Sequence, residues 1–392
     1  MSDSEPPRGL PDAEFQARVA KAQNLMGQRG LDALVLTCET DVRYFSGYLT
    51  RFWESPTRPW FLVVPVEGDP VAVIPSIGAH LMSQSWISDI RTWRSPDYDD
   101  DGVGILSETL AELTNPDAKI GTPSGIETHL RLPLDSWHSL LDRIGKREMI
   151  GDNDIMRRLR MVKSPLEVEK IRAACNIAGR AFDRVSEIAE AGVPLDQVFR
   201  RFQMLCLEEG ADWVAYLAGG AGPGGYGDVI SPATARPLAD GDVLMLDIGL
   251  VHDGYFCDFD RNFAIGEVTA KADAGYASLL EATQAAFAQA RPGSTAADLF
   301  RAMDLVLTGG TGGSEAGRYG HGLGMQLTEW PSIIPSDKTV LQPGMVLTLE
   351  PGVELRPGQI LVHEEDIVIT GDGAEFLSPL APKRLPRLRA ET

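Results

Sequence analysis

The stretch LMLDIGLVHDGYFCDFDRNF, residues 244–263, carries three aspartates, Asp247, Asp258 and Asp260, among apolar neighbours. Asp forms strands poorly and is seldom buried without a partner. A second acidic set follows, with Glu350 at the end of GMVLTLEPG and Glu364, Glu365 and Asp366 inside ILVHEEDIVIT. Between them stands His321 in RYGHGLG, one of six histidines, with glycines beside it that let backbone and ligand approach closely. Two aspartates, two glutamates and one imidazole offer hard oxygen donors and one borderline nitrogen. That set suits two divalent transition-metal ions, Mn, Co, Fe or Zn, bridged by carboxylate, better than calcium or a structural zinc. Two such ions acidify a shared water and clamp a tetrahedral intermediate.

Those donors must be positioned by strands. Strand side chains alternate faces, so Val243, Met245 and Asp247 of DVLMLDIG share one face. HDG at 252–254 signals a hairpin turn. A turn centred on His252–Asp253 sets Asp247 opposite Asp258, and one centred on Asp253–Gly254 sets it opposite Asp260. Either register gathers all three aspartates on one face, with nearest Cβ atoms roughly 5 Å apart. Like charges so placed repel, so a cation compensates or a carboxyl keeps its proton. Downstream, a hairpin centred on Pro357–Gly358 sets Glu350 opposite Glu365. His252 reads as an exposed turn residue, and Cys257 as a core residue on the face away from Asp258.

The surrounding chain reads as two domains. EFQARVAKAQNLMGQRG spaces Phe15, Val19, Ala22 and Met26 as a helix closed by Gly30, and strands then alternate with helices to about residue 150. After a polar run, Ser164, Pro165 and Glu167 form a capping-box helix start. Long helices and strands continue to about residue 380, an α+β pattern. Glycine-rich loops at 219–227 and 309–320 lack the strand–loop–helix context of a phosphate cradle. With 56 acidic against 36 basic residues the net charge is −20, a field that repels nucleic acid and anionic membrane surfaces. No apolar run approaches the ~20 residues of a membrane helix. The acidic, Pro-rich start is unlike a signal peptide. Four scattered cysteines suit a reducing cytoplasm.

The acidic set is similar to that of the pita-bread metallohydrolases, the family of methionine aminopeptidase, aminopeptidase P, prolidase and creatinase. Asp247 in LDIG, Asp258 eleven residues on, His321 in GHGLG, Glu350 in LEPG and Glu365 in EEDIVIT follow the family's order. The junction RMVKSPLEVEKIRAA resembles the two-domain prolidase and creatinase branch. The resemblance implies a creatinase-type α/β domain over residues 1–155 and a pita-bread catalytic domain over 156–392. It implies metal ligands Asp247, Asp258, His321, Glu350 and Glu365, with two divalent ions, manganese first, and Glu350 accepting a proton from the attacking water. It also implies a cytoplasmic homodimer in which Arg51 and Trp53 of one protomer reach substrate in the other. The activity implied is metal-dependent hydrolysis of a C–N bond in an Xaa-Pro dipeptide or small peptide.

Two departures keep a second reading open. The family's peptidase histidines fall at Ile230 and Thr328 here, and neither side chain relays a proton as imidazole does. Asp260 stands where the family has Thr or Ser. With Thr328 and Asp260 as candidate catalytic or substrate-contacting residues, the alternative is a non-peptidase member acting on a small zwitterion. Creatinase, ectoine hydrolase and dimethylsulfoniopropionate lyase are the relatives of that kind. The structural role weighed for Asp260 is a partner for Arg261 or another structural arginine.

Overall fold

The computed structural model describes residues 6–55, 58–313 and 317–388. The first five residues of the leader, positions 56–57 of the aromatic segment and positions 314–316 of the second glycine-rich loop lie outside the described residues. The chain forms two compact units, one of Pro7–Arg160 and the other built on Met161–Thr392.

In the first unit, helix Asp12–Arg29 buries Phe15, Val19, Ala22 and Met26, and Gly30 ends it at φ 65°. A six-stranded sheet runs in the spatial order Asp89–Trp93, Val71–Pro75, Phe61–Pro65, Ala33–Leu36, Lys119–Thr122, Glu148–Gly151. Ala33–Leu36 is antiparallel to Phe61–Pro65 and parallel to Lys119–Thr122, so the sheet is mixed. The central strands are buried along their whole length, which explains their unbroken apolar runs. Val35, Val63 and Ile120 pack against Leu106, Leu110 and Leu140 of the covering helices.

In the second unit, Ser164 accepts from the Glu167 backbone N–H, Glu167 returns the bond, and Pro165 opens helix Pro165–Asp183. Strand Asp242–His252 lies between Trp213–Pro223 and Phe259–Ile265. Val243 and Met245 pack on Ala272, Tyr276 and Leu279 of helix Ala270–Gln289, and Asp247 continues that face. Val251 pairs with Phe256 and His252 with Tyr255. The turn is therefore centred on Asp253–Gly254, both at positive φ (49° and 79°), as a two-residue hairpin turn requires. Asp247 consequently lies opposite Asp260. His252 becomes a strand residue rather than an exposed turn residue, buried with Nδ1 3.2 Å from the Gly210 carbonyl.

A second sheet runs Glu329–Ser332, His321–Gly322, Val346–Leu349, Glu365–Ile369, Ala374–Phe376. Its middle strands are extended by a hairpin of Gly352–Arg356 and Gln359–Val362 that turns at Pro357–Gly358, the expected place. The register nonetheless slips. Arg356 pairs with Gln359, but Glu354 pairs with Ile360, leaving Leu355 as a bulged extra residue. Below the bulge Leu349 pairs with Glu365, so the residue facing Glu350 is Glu364. A one-residue slip exchanges the two faces of a strand.

Candidate metal centre

Donors from the two sheets converge in one buried cluster. Asp258, His321 and Glu364 each offer a ligand atom, all within 4.8 Å of one another. Asp247 and Glu350 join them electrostatically. The pKa of Glu364 is driven far above the carboxylate range by burial, then by Asp258, Glu350 and Asp247. Asp247 is pushed up by burial, then by Asp260 and Glu350, and Asp258 by burial, then by Asp247. Burial raises Glu350 to about 7, yet it remains partly accessible.

The geometry of each donor follows from its local backbone. Asp258 sits just before strand Phe259–Ile265, its N–H donated to Asp366 Oδ2 at 2.9 Å. Asp366 also accepts from Cys175 Sγ at 3.2 Å, and burial holds it at about 8. His321 donates from Nδ1 to the Gly322 carbonyl at 2.8 Å, which aims Nε2 at Asp258 Oδ2, 3.4 Å away. Burial, then the Arg318 charge, lowers its pKa to about 4, so the imidazole is neutral and Nε2 carries a lone pair. Gly320, at φ 130°, lies so close to the Thr348 carbonyl that a Cβ there would collide with it. Tyr216 stands beside Asp247, Asp258, Glu364 and Glu350.

The donor set fits divalent ions on two grounds. Asp247 Oδ1 and Glu364 Oε1 are fully buried without a hydrogen-bond partner. Buried carboxylates in mutual contact are costly unless paired with cations or protons. A neutral imidazole among them adds the nitrogen that transition metals favour.

Of the expected ligands, Asp247, Asp258, His321 and Glu350 come together, and Glu365 does not. The bulge at Leu355 turns Glu365 to the other face, where Oε2 accepts from Arg261 Nη2 at 2.9 Å and from Ser378, and Oε1 accepts from the Ala381 N–H at 2.9 Å. Burial alone would raise its pKa, but Arg261 and His363 pull it down to about 2. Glu364 stands in the cluster in its stead, beside Asp258 and His321. Sequence reading passed it over because adjacent glutamates differ only in the face they present. The Asp260 carboxylate does not pair with Arg261; its Oδ1 accepts from the Glu364 N–H at 3.1 Å and lies 3.5 Å from His363 Nδ1. Arg261 instead reaches the Asp260 carbonyl. Thr328 is half-buried beside Glu329, and Ile230 is 80% exposed.

Arg51 and Trp53 belong to the first unit. Arg51 is half-exposed and paired with Glu54. Trp53 is buried, its ring 5.5 Å from that of Trp60 and under the Arg131 guanidinium at 5.1 Å. Trp53 is thus packed within the first unit, as an aromatic segment under a loop would be. Cys257 is buried as expected, with Sγ toward the Ile248 carbonyl. Tyr216 and Arg318 were missed, since each is a single polar residue in a segment without periodicity.

Comparison with known proteins agrees with this geometry. The family described as metallopeptidase family M24 matches residues 169–371, and the creatinase/prolidase N-terminal domain matches residues 18–162. A probable dipeptidase PepE of Mycobacterium tuberculosis is 32% identical over 369 residues, covering 93% of this chain and 94% of the relative. An Xaa-Pro dipeptidase of Pyrococcus furiosus is 27% identical, covering 93% and 98%. The crystal structure of dipeptidase PepE from Mycobacterium ulcerans superposes with a TM-score of 0.83 at 28% identity, covering 97% of this chain and all of that one. No helix among the described residues is long and apolar enough to cross a membrane. With a creatinase/prolidase N-terminal domain ahead of a pita-bread domain, this α+β metallohydrolase belongs to metallopeptidase family M24.

Proposed function

We propose that the chain is a metal-dependent dipeptidase that hydrolyses a C–N peptide bond, with Xaa-Pro dipeptides as the substrate class. The observation that carries this reading is the convergence of Asp247, Asp258, His321, Glu350 and Glu364, two of whose buried oxygens have no partner. These five residues would hold two divalent ions, with Glu364 in the place first expected of Glu365. Such ions would supply the Lewis acidity that acidifies water and polarises the scissile carbonyl. Glu350, partly open to solvent, would accept the proton of the attacking water and deliver it to the leaving amine. His321 stays neutral, and Tyr216 stands beside Asp247.

Relatives named dipeptidase and Xaa-Pro dipeptidase favour this reading over a non-peptidase acting on a small zwitterion. Manganese as the resident ion, a homodimer and a cytoplasmic location belong to the same proposal. The oxygen-rich ligand set supports manganese. Four buried, unpaired cysteines support a reducing compartment. The half-exposed Arg51 is the side chain we assign to the neighbouring protomer's substrate.

The test is a metal-stripped protein reconstituted with Mn²⁺ and offered Xaa-Pro dipeptides, other dipeptides and small zwitterions in parallel. Hydrolysis of a dipeptide, lost with chelator and regained with Mn²⁺, is expected. Turnover of a zwitterion with no dipeptide cleaved overturns the reading.

A further inference from the structure

Glu364 lies between strands Gln359–Val362 and Glu365–Ile369, so neither its N–H nor its carbonyl belongs to a sheet ladder. Two consecutive residues of the opposite sheet supply the missing partners. Asp260 Oδ1 accepts from the Glu364 N–H at 3.1 Å, and Arg261 Nη1 donates to the Glu364 carbonyl at 3.2 Å. Behind this contact the ionisable side chains are gathered in a ring, in which His363 Nδ1 and Asp260 Oδ2 make no hydrogen bond. His363 stands between Asp260 and Glu365, with Nδ1 3.5 Å from Asp260 Oδ1 and Nε2 3.4 Å from Glu365 Oε1. Glu365 Oε2 returns to Arg261 at 2.9 Å. All four side chains are buried, and Arg261 is further held over the Phe259 ring at 4.6 Å.

Buried ion networks of this kind add little net stability compared with packed apolar residues. Here the network ends on both backbone polar atoms of one residue, and that residue's carboxylate faces Asp258 and His321. We propose that Asp260, Arg261, His363 and Glu365 are positioning residues, a buried clamp that presets the Glu364 carboxylate for metal binding while touching neither metal nor substrate. The inference rests on the reading of Glu364 as a ligand. It gives Asp260, first considered for a catalytic role, a different task, and it explains why Glu365 is acidic although it faces away from the metal site.

The clamp makes an affinity prediction separate from turnover. Outer partners of metal ligands change affinity by roughly 10–100-fold when removed. Asp260→Ala deletes the acceptor for the Glu364 N–H, whereas Asp260→Asn keeps an oxygen there. Full-length, metal-stripped proteins are titrated with Mn²⁺ by calorimetry and with Co²⁺ by visible absorption, which reports coordination. Asp260→Ala is expected to weaken Mn²⁺ binding by roughly 10–100-fold and to alter the Co²⁺ spectrum, with Asp260→Asn close to wild type. Should Asp260→Ala fail to fold, Arg261→Lys serves, because a single ammonium cannot hold the Glu364 carbonyl and Glu365 in the guanidinium's fork geometry. Wild-type affinity and spectrum in the folded variant overturn the clamp and leave the ligand assignment standing. A wild-type protein that takes up neither ion overturns both.

Discussion

Replacing Glu364 and Glu365 in turn by Gln should affect the metal-free protein with opposite sign. Glu364 sits in a like-charged cluster whose ligand atoms lie within 4.8 Å. Two full charges at that distance repel by about 3.5 kcal/mol at an effective dielectric constant near 20. Raised pKa values let the cluster keep protons and relieve part of that cost, so Glu364→Gln should stabilise the metal-free protein by about 1–2 kcal/mol. For a unit of this size that is a rise of roughly 3–6 °C in Tm. Glu365 is instead the partner of buried Arg261. Glu365→Gln leaves that charge uncompensated and should destabilise the protein by about 3–5 kcal/mol, with or without metal. On adding Mn²⁺ the Glu364 variant should gain almost nothing in Tm, whereas wild type should gain several degrees. Differential scanning calorimetry of both variants, stripped and reconstituted, reads all of these signs at once. A Glu365→Gln protein that is stabilised when stripped and blind to Mn²⁺, beside a Glu364→Gln protein that binds normally, would refute the assignment.

Other consequences can be checked separately. Gly320→Ala forces a Cβ against the Thr348 carbonyl at positive φ, so it should displace His321 and weaken Co²⁺ binding at a cost exceeding about 1 kcal/mol, read by titration and melting. Lys163 and Glu329 form an ion pair with each side chain 2% exposed. Lys163→Met should therefore cost about 3–5 kcal/mol in chemical denaturation. Adding Glu329→Leu should restore only part, because Glu329 also accepts from the Met325 and Gln326 N–H groups. Burial pushes the thiols of Cys38 and Cys206 up to about 12 and raises those of Cys175 and Cys257 well above the ordinary thiol value. A disulfide reagent at pH 8 should find no reactive thiol in the native protein and four after unfolding in guanidinium. A native count of one or more would contradict the burial described.

What could be read from the sequence was whatever depended on neighbours in the chain. The capping box at Ser164–Glu167 was legible because both bonds span three residues. Asp247, Asp258, His321 and Glu350 were legible through spacing and a family pattern. The hairpin at Asp253–Gly254 was narrowed to two registers and settled by backbone sign, which Gly alone does not fix. Glu365 was misplaced for a longer-range reason: a bulge far from it exchanged the faces of its strand. Trp53 looked available because an aromatic, Arg-bearing segment suggests recognition, yet Trp60 and Arg131, distant in the chain, enclose it. The clamp around Glu364 was invisible, since its parts come from two sheets separated by about a hundred positions.

The bulge at Leu355 also sets a rule for how this hairpin can change length. A strand pattern has period two, so the single extra residue acts as a half-cycle of phase between the turn and the ladder. Deleting Leu355 would straighten the hairpin and keep Glu350 facing Glu364. Deleting one residue from Gln359–Val362 instead would double the mismatch between the arms, and keeping a single bulge would then set Glu365 opposite Glu350 in place of Glu364. Parity, more than length, governs which insertions and deletions this hairpin can accept.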